Sequence, residues 1–152
     1  MNKEKRIWTA LFLALTLMLI LSGCSGLSKT AKINITIDPN PVPSVSFSNE
    51  IDWWPFDIVL DESNGVGVTL SSLRFDSYNQ EEQLINTTIW YEVEEEKMTS
   101  LFGSNYLPAF SSLQGNIYHT VLVYKYALLT IEGVDDNNNS IEATGRVDYL
   151  PQ

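Results

Sequence analysis

Apolar and polar residues alternate along most of this chain, and that pattern most limits the folds that it can adopt. In "KINITID", residues 32–38, Ile33, Ile35 and Ile37 fall on one side, while Asn34 and Thr36 fall on the other. Successive side chains of a β-strand point to opposite faces of a sheet. The alternation therefore predicts a strand that buries one face only.

Similar patterns recur to the end of the sequence and predict further strands. The segments that carry them are Val45–Phe47, Phe56–Leu60, Val66–Leu70, Ile89–Val93, residues 116–135 (two strands, or one with a bend near Ala127) and residues 141–150. Asn64-Gly65 is a strong signal for a tight turn. The best helical candidate, Glu94–Phe102, is long enough for one or two turns only.

The prolines Pro39, Pro41 and Pro43 follow the first predicted strand. Proline cannot donate a backbone hydrogen bond, so this segment is expected at a sheet edge or in a crossover between sheets. About seven or eight short antiparallel strands predict an all-β sandwich. The chain has one cysteine, so the sandwich has no internal disulfide.

The first residues have the three parts of a secretory signal. Lys3, Lys5 and Arg6 precede an apolar run from Ile7 to Leu21, which is shorter than the roughly 20 residues of a membrane-spanning helix. Small residues and Cys24 follow. The alternative interpretation is an uncleaved transmembrane anchor with an incidental cysteine.

Leu21-Ser22-Gly23-Cys24 closely resembles the lipobox of bacterial lipoproteins. The resemblance implies that residues 1–23 are a signal peptide and that Cys24 carries a covalent lipid, palmitate included, as a membrane anchor. Ser25, rather than aspartate, implies the outer membrane if the bacterium has two membranes. Residues 24–32 are then expected to be a flexible tether, and residues 33–152 a single domain.

Segments within residues 33–150, "ITIDPNPVP", "VLDESNGVGVTL" and "GVDDNNNSIEATGRV", resemble the immunoglobulin-like domains of bacterial secreted proteins and lipoproteins. The resemblance implies an immunoglobulin-like β-sandwich. It implies no enzymatic activity, since such domains serve many roles.

The formal net charge of −10 disfavours nucleic acid as a partner, because phosphates would be repelled. The same acidity disfavours a domain that lies flat on anionic lipid. The domain is therefore expected to stand off the membrane surface.

Two sets of aromatic residues are candidates for contact with a ligand or partner. Trp53 and Trp54 are adjacent, so one is expected in the core and the other at the surface, where an indole can stack on a sugar or a protein. Tyr118, Tyr124 and Tyr126 have even spacing, which would place them in one strip. Burial in the core is the alternative for both sets.

Other chemistry has weaker support. Asp135, Asn137 and Asn139 could offer oxygen ligands to calcium, but a hairpin turn is the favoured interpretation. Glu92 and Glu94–Glu96 are expected to be solvent-exposed side chains rather than catalytic carboxylates. His119 is expected to have no catalytic role.

The sequence therefore predicts a non-catalytic binding or structural module, anchored in the bacterial cell envelope by lipid and without other cofactors. Its expected partner is a protein or a glycan. The alternative is a carbohydrate-binding module that uses exposed Trp and Tyr.

Overall fold

The computed structural model describes the backbone of residues 29–47, 51–90, 95–120 and 124–150, and the side chains of residues 29–45, 54–89, 98–118 and 124–150. This part contains nine strands and one short helix. They are β1 (Ile33–Asp38), β2 (Val45–Phe47), β3 (Ile51–Glu62), β4 (Val68–Tyr78), β5 (Leu84–Trp90), α1 (Glu95–Phe102), β6 (Tyr106–Leu107), β7 (Ser112–Thr120), β8 (Tyr126–Asp135) and β9 (Ser140–Asp148). Because β2 and β6 are very short, the expected number of seven or eight strands describes the body of the fold well.

The strands form a four-stranded and a five-stranded sheet, both antiparallel. In the first, β3 pairs with β1 and β2 on one side and with β7 on the other. In the second, the order is β5-β4-β8-β9, with β6 beside the start of β4. This is the strand order of an immunoglobulin-like sandwich, with strands A, B and E in one sheet, strands C, F and G in the other, and an extra strand next to C. The predicted fold class is confirmed.

The core lies between the two sheets, on the side that the alternation predicts. Phe56, Ile58 and Leu60 of β3 are buried, as expected. The five-stranded sheet faces them with buried apolar residues of β4, β8 and β9, which are Val68, Leu70, Leu73, Phe75, Leu129, Ile131, Ile141 and Val147. Removal of these side chains from water is the main stabilising contribution in a domain that has no disulfide.

The proline-rich segment after β1 leaves the four-stranded sheet, contacts the edge of the five-stranded sheet at Val42 and returns to β2. Val42 is fully buried and pairs in parallel with Tyr149, which follows β9 in the five-stranded sheet. The Val42 N–H donates to the Asp148 carbonyl at 2.7 Å. The Asn40 side chain donates to the Arg146 carbonyl at 2.9 Å, so the crossover is fixed to the last strand.

The run of residues 116–135 divides into two strands that belong to different sheets. β7 ends at Thr120 beside β3, whereas β8 begins at Tyr126 beside β4. The helical candidate is confirmed as α1, which buries Met98 and Phe102. None of the helices in the described ranges is both long and apolar enough to cross a membrane.

The chain enters the sandwich at one end and leaves at the other. We call the end with the β3–β4 turn (residues 63–67) and the β8–β9 turn (residues 136–139) the proximal end. Residues 29–32 lie against it, and Ala31 is buried. Hydrogen bonds to these turns hold residues 29–32, which are the last four residues of the predicted tether, against the sandwich. Residues 24–28 lie outside the described part.

Candidate binding surface

The outer face of the five-stranded sheet carries a stack of two aromatic rings and one cation. The rings of Tyr78 on β4 and Tyr126 on β8 are nearly parallel, with centroids 4.8 Å apart. The guanidinium carbon of Arg146 on β9 lies 3.9 Å from the centre of the Tyr126 ring. The stack therefore joins three neighbouring strands through aromatic and cation–π contacts.

Strand register explains how the stack forms. Tyr78 lies directly opposite Tyr126, and Tyr126 lies directly opposite Asp148. Arg146 is two residues before Asp148 on the same face, so it reaches Tyr126 diagonally. Asp148 Oδ1 accepts a hydrogen bond from Arg146 Nε at 2.9 Å and forms an ion pair with Nη2 at 2.8 Å. The hydrogen bond to Asp148 raises the pKa of Arg146, which keeps the guanidinium charged.

Polar side chains on the same face form hydrogen bonds with one another. Arg74 Nε donates to Asp76 at 3.1 Å, and the Thr87 hydroxyl donates to the other Asp76 oxygen at 2.7 Å. The Ser72 hydroxyl donates to Glu132 at 2.8 Å. These contacts hold charged groups in fixed positions, and such preorganisation lowers the cost of binding a partner.

An apolar edge borders this polar network. On β5, Leu84, Ile85 and Ile89 are 53%, 46% and 46% exposed. The strand sequence "LINTTIW" contains no charged residue and no proline. Within the described ranges β5 pairs only with β4. Its outer edge therefore presents backbone donors and acceptors together with apolar side chains, without the charges that usually protect an edge strand.

A shallow open depression of about 360 Å³ lies farther along this face. Its lining comes from β4, β8 and β9 and consists of Ser71, Glu132, Gly133, Val134, Ser140, Ile141 and Glu142. The ladder shifts register between Leu70 and Ser72, and this irregularity places Ser71 at the rim.

The two tryptophans do not form an exposed pair in the described part. Trp54 is only 5% exposed and packs edge to face on Tyr149, with ring centroids 6.0 Å apart. Trp54 is therefore the member of the pair that lies in the core, and its buried side chain is not available to a ligand. The side chain of Trp53 lies outside the described residues.

The predicted tyrosine strip does not exist. Tyr118 is 55% exposed on the four-stranded sheet, where it lies opposite Pro55. Tyr126 is buried at 9% exposure in the other sheet, and Tyr124 is half-buried between the two strands. Even spacing in sequence does not place these residues together, because the chain changes sheets between Tyr118 and Tyr126.

The favoured hairpin interpretation of residues 134–140 agrees with the structure. Asp135 Oδ1 accepts hydrogen bonds from the N–H groups of Asn137 and Asn139 at 2.9 and 2.8 Å. Its Oδ2 accepts from Ala31 N–H at 3.1 Å and from the Asn139 amide at 3.0 Å. These donors compete with any cation for the carboxylate. Burial acts to raise the pKa of Asp135, but the hydrogen bonds outweigh it and the pKa is lowered.

Among the described residues, no three His, Cys, Asp or Glu side chains are placed to hold a metal ion together. The side chains of His119, Glu92 and Glu94–Glu96 lie outside these residues. Sequence reasoning missed Tyr78 and Arg146, although Arg146 and Asp148 are an oppositely charged pair at alternate positions of a predicted strand. That spacing places both side chains on one face.

The fold is similar to two solved structures. The structural-genomics target SoR45 has 10% sequence identity and a TM-score of 0.53, and the match covers 82% of this chain and 92% of that one. The crystal structure described as "Putative ApaA Protein from Bordetella pertussis" has 8% identity and a TM-score of 0.52, with coverage of 82% and 98%. At these identities the likeness shows the fold alone. No protein-family model and no curated protein matches the sequence.

Proposed function

We propose that this chain is a bacterial lipoprotein whose sandwich binds a protein partner in the cell envelope without catalysis. The observation that carries the proposal is the apolar edge of β5 beside the Tyr78–Tyr126–Arg146 stack. Exposed apolar side chains next to a fixed aromatic and arginine cluster are typical of protein-binding surfaces.

The partner would dock along β5 with an extended segment. An open strand edge offers main-chain hydrogen bonds, and exposed side chains on the edge strand offer apolar contacts, as in β-strand addition. Leu84, Ile85 and Ile89 supply such contacts here. The charged groups nearby already bind one another, which favours a recognition surface over a catalytic site.

The lipid would hold this surface in the envelope. The lipobox at Leu21-Ser22-Gly23-Cys24 supports lipidation of Cys24, and Ser25 supports the outer membrane in a two-membrane bacterium. One acyl chain binds a bilayer weakly, whereas two or more anchor a protein stably.

A photo-crosslinking experiment in cells tests the binding role. A photoreactive amino acid replaces Ile89 on β5 or, as the matched control, Val45, which is 37% exposed on the four-stranded sheet. We expect one discrete crosslinked protein from position 89 and none from position 45. Equal crosslinking from both positions would contradict the proposed surface.

Metabolic labelling tests the anchor separately. We expect incorporation of labelled palmitate into the chain and its loss in the Cys24→Ala variant. The crosslinking variants are tested both with Cys24 present and with Cys24→Ala, so that loss of the anchor is not mistaken for loss of the binding surface.

A further inference from the structure

The proximal end of the sandwich joins the start of the domain to an exposed phenylalanine through one carboxylate. Glu62 is 3% exposed, and its two oxygens accept hydrogen bonds from five backbone N–H groups. These donors belong to Lys32, Asn64, Gly65, Val66 and Phe110. The position of Phe110 is thus fixed relative to the point where the chain enters the domain.

Phe110 is displayed outward in an unusual backbone conformation. Its side chain is 73% exposed, and its φ is 53°, in the left-handed region that a bulky residue rarely adopts. The ring lies over Gly65, where an added Cβ would clash with the Phe110 ring. A strained, rigidly held and exposed aromatic side chain points to a functional contact.

Two further exposed side chains accompany Phe110 at the proximal end. Tyr106 on β6 and Val134 on β8 lie on either side of Thr69 of β4, and they are 39% and 45% exposed. The Tyr106 hydroxyl donates to Asp136 at 3.0 Å. We call Phe110, Tyr106 and Val134 the apolar tip.

The segment that leads to the membrane anchor begins at the same end. The Asn137 side chain donates to the Lys29 carbonyl at 2.7 Å, and the Asn64 side chain donates to the Thr30 carbonyl at 2.6 Å. Cys24 and Lys29 are five positions apart in the sequence, and a fully extended chain of that length spans at most about 17 Å. A lipid on Cys24 therefore keeps the apolar tip close to the headgroup layer.

Two cations lie at this end of the sandwich, in the segment just before β1. The side chains of Lys29 and Lys32 are both exposed, next to the docked backbone. Basic residues close to an anionic leaflet are attracted to it. The carboxylates of Glu62 and Asp135 are buried beneath backbone donors, and Asp136 is hydrogen-bonded to Tyr106.

We propose that the apolar tip is a second membrane contact, which inserts at the bilayer interface and orients the domain with its proximal end on the lipid. This inference rests on the proposed lipidation of Cys24. Aromatic side chains favour the headgroup region, and a lipid combined with a second membrane-binding element anchors a protein more stably than the lipid alone. The inference replaces the expectation from net charge that the domain stands off the surface.

Spin-label accessibility on the mature lipidated protein tests this inference. The protein is reconstituted in vesicles of phosphatidylethanolamine and phosphatidylglycerol. With the sulfur of Cys24 acylated, a nitroxide attaches only at an introduced cysteine. Ala109→Cys places the label beside Phe110, and Gln80→Cys places it in the β4–β5 turn, about 35 Å away along the strands. The measurement is the collision rate with oxygen relative to that with an aqueous nickel complex.

We expect the oxygen-to-nickel ratio at position 109 to exceed that at position 80 by at least about threefold, as for a group at the bilayer interface. The variant Phe110→Asn, which removes the ring and suits the left-handed backbone, should abolish the difference. Leu150→Asn, which removes an exposed apolar side chain at the far end, should preserve it. Circular dichroism verifies that each variant is folded.

Two outcomes would overturn the inference in distinguishable ways. Equal, water-like ratios at both positions, in protein that still floats with the vesicles, would reject the apolar tip and leave the lipid anchor intact. Protein that carries no lipid and does not float would reject the anchor, and the inference with it.

Discussion

The Phe110 N–H donates to Glu62 Oε2 at 3.1 Å, although the two residues are 48 positions apart. The other oxygen of this carboxylate accepts from Lys32 N–H at 3.1 Å. A single buried side chain thus connects the start of the domain, the β3–β4 turn and the loop before β7.

Replacement of Glu62 by Gln should destabilise the fold by about 2 kcal/mol, because a buried acceptor of several N–H groups is lost. An amide has one acceptor oxygen, and its NH₂ group would face donors. Chemical denaturation monitored by tryptophan fluorescence measures the change. Glu81→Gln, at an exposed position in the β4–β5 turn, is the matched control and should change stability little.

Stability should also depend on the ionisation of Glu62. Burial acts to raise its pKa, but the backbone hydrogen bonds of Phe110, Asn64, Lys32 and Gly65 prevail and lower it from 4.5 to about 2. Glu62 binds a proton more readily in the unfolded chain than in the folded one. Its contribution to the free energy of unfolding is therefore fully present above the unfolded pKa of 4.5 and is lost as pH falls from about 4.5 towards 2. Denaturation curves across this range should show a smaller pH dependence in Glu62→Gln. An unchanged dependence would contradict the assigned role.

A pair of glycine substitutions separates backbone strain from the contact with Phe110. Gly65 and Gly103 have φ values of 81° and 76°, but only Gly65 lies against another side chain. Gly103→Ala should cost about 1 kcal/mol from the left-handed backbone alone. Gly65→Ala should cost about 2 kcal/mol, since the Phe110 ring must also move. Equal losses would show that the ring does not pack on the turn.

Trp54 should behave as a core residue. Trp54→Ala should destabilise the domain by about 4 kcal/mol, because a large buried ring leaves a cavity. Tyr118→Ala removes an exposed aromatic ring from the outer face of the four-stranded sheet and should change stability by less than about 0.5 kcal/mol. Thermal unfolding of both variants provides the comparison. Similar losses in the two would contradict the burial assigned to Trp54.

The proposed binding surface predicts a selective effect of charge. With the photoreactive amino acid moved to Leu84 of the same strand, which is 53% exposed, Ile89→Asp should reduce recovery of the crosslinked partner by about tenfold, because a carboxylate on an apolar edge must be desolvated on binding. The melting temperature should stay nearly unchanged, since Ile89 is 46% exposed. Val45→Asp carries the same added charge on the other sheet and should leave recovery intact. A comparable loss in both variants would indicate a nonspecific effect of charge.

Local patterns predicted the fold well and the candidate surfaces poorly. Alternation in β1 and β3 identifies which residues face the core, because burial on one face imposes a period of two. The separation of Tyr118 from Tyr126 depends on a change of sheets that spacing alone does not reveal. The role of Glu62 depends on backbone N–H groups from distant segments. Because every residue except proline has such a group, the sequence pattern does not reveal which of them will contact Glu62.

The described chain enters the sandwich at the proximal end and leaves it at the opposite end. This arrangement determines how the domain would respond to a mechanical pull. β1 runs away from the proximal end, and β9 runs in the same direction, so a pull on Lys29 opposed by a pull on Leu150 acts along the strands. Hydrogen bonds between strands lie across that direction and would be sheared together rather than unzipped one at a time. A pull between the two ends of the sandwich would therefore load whole ladders of hydrogen bonds at once, and such a load resists stretching.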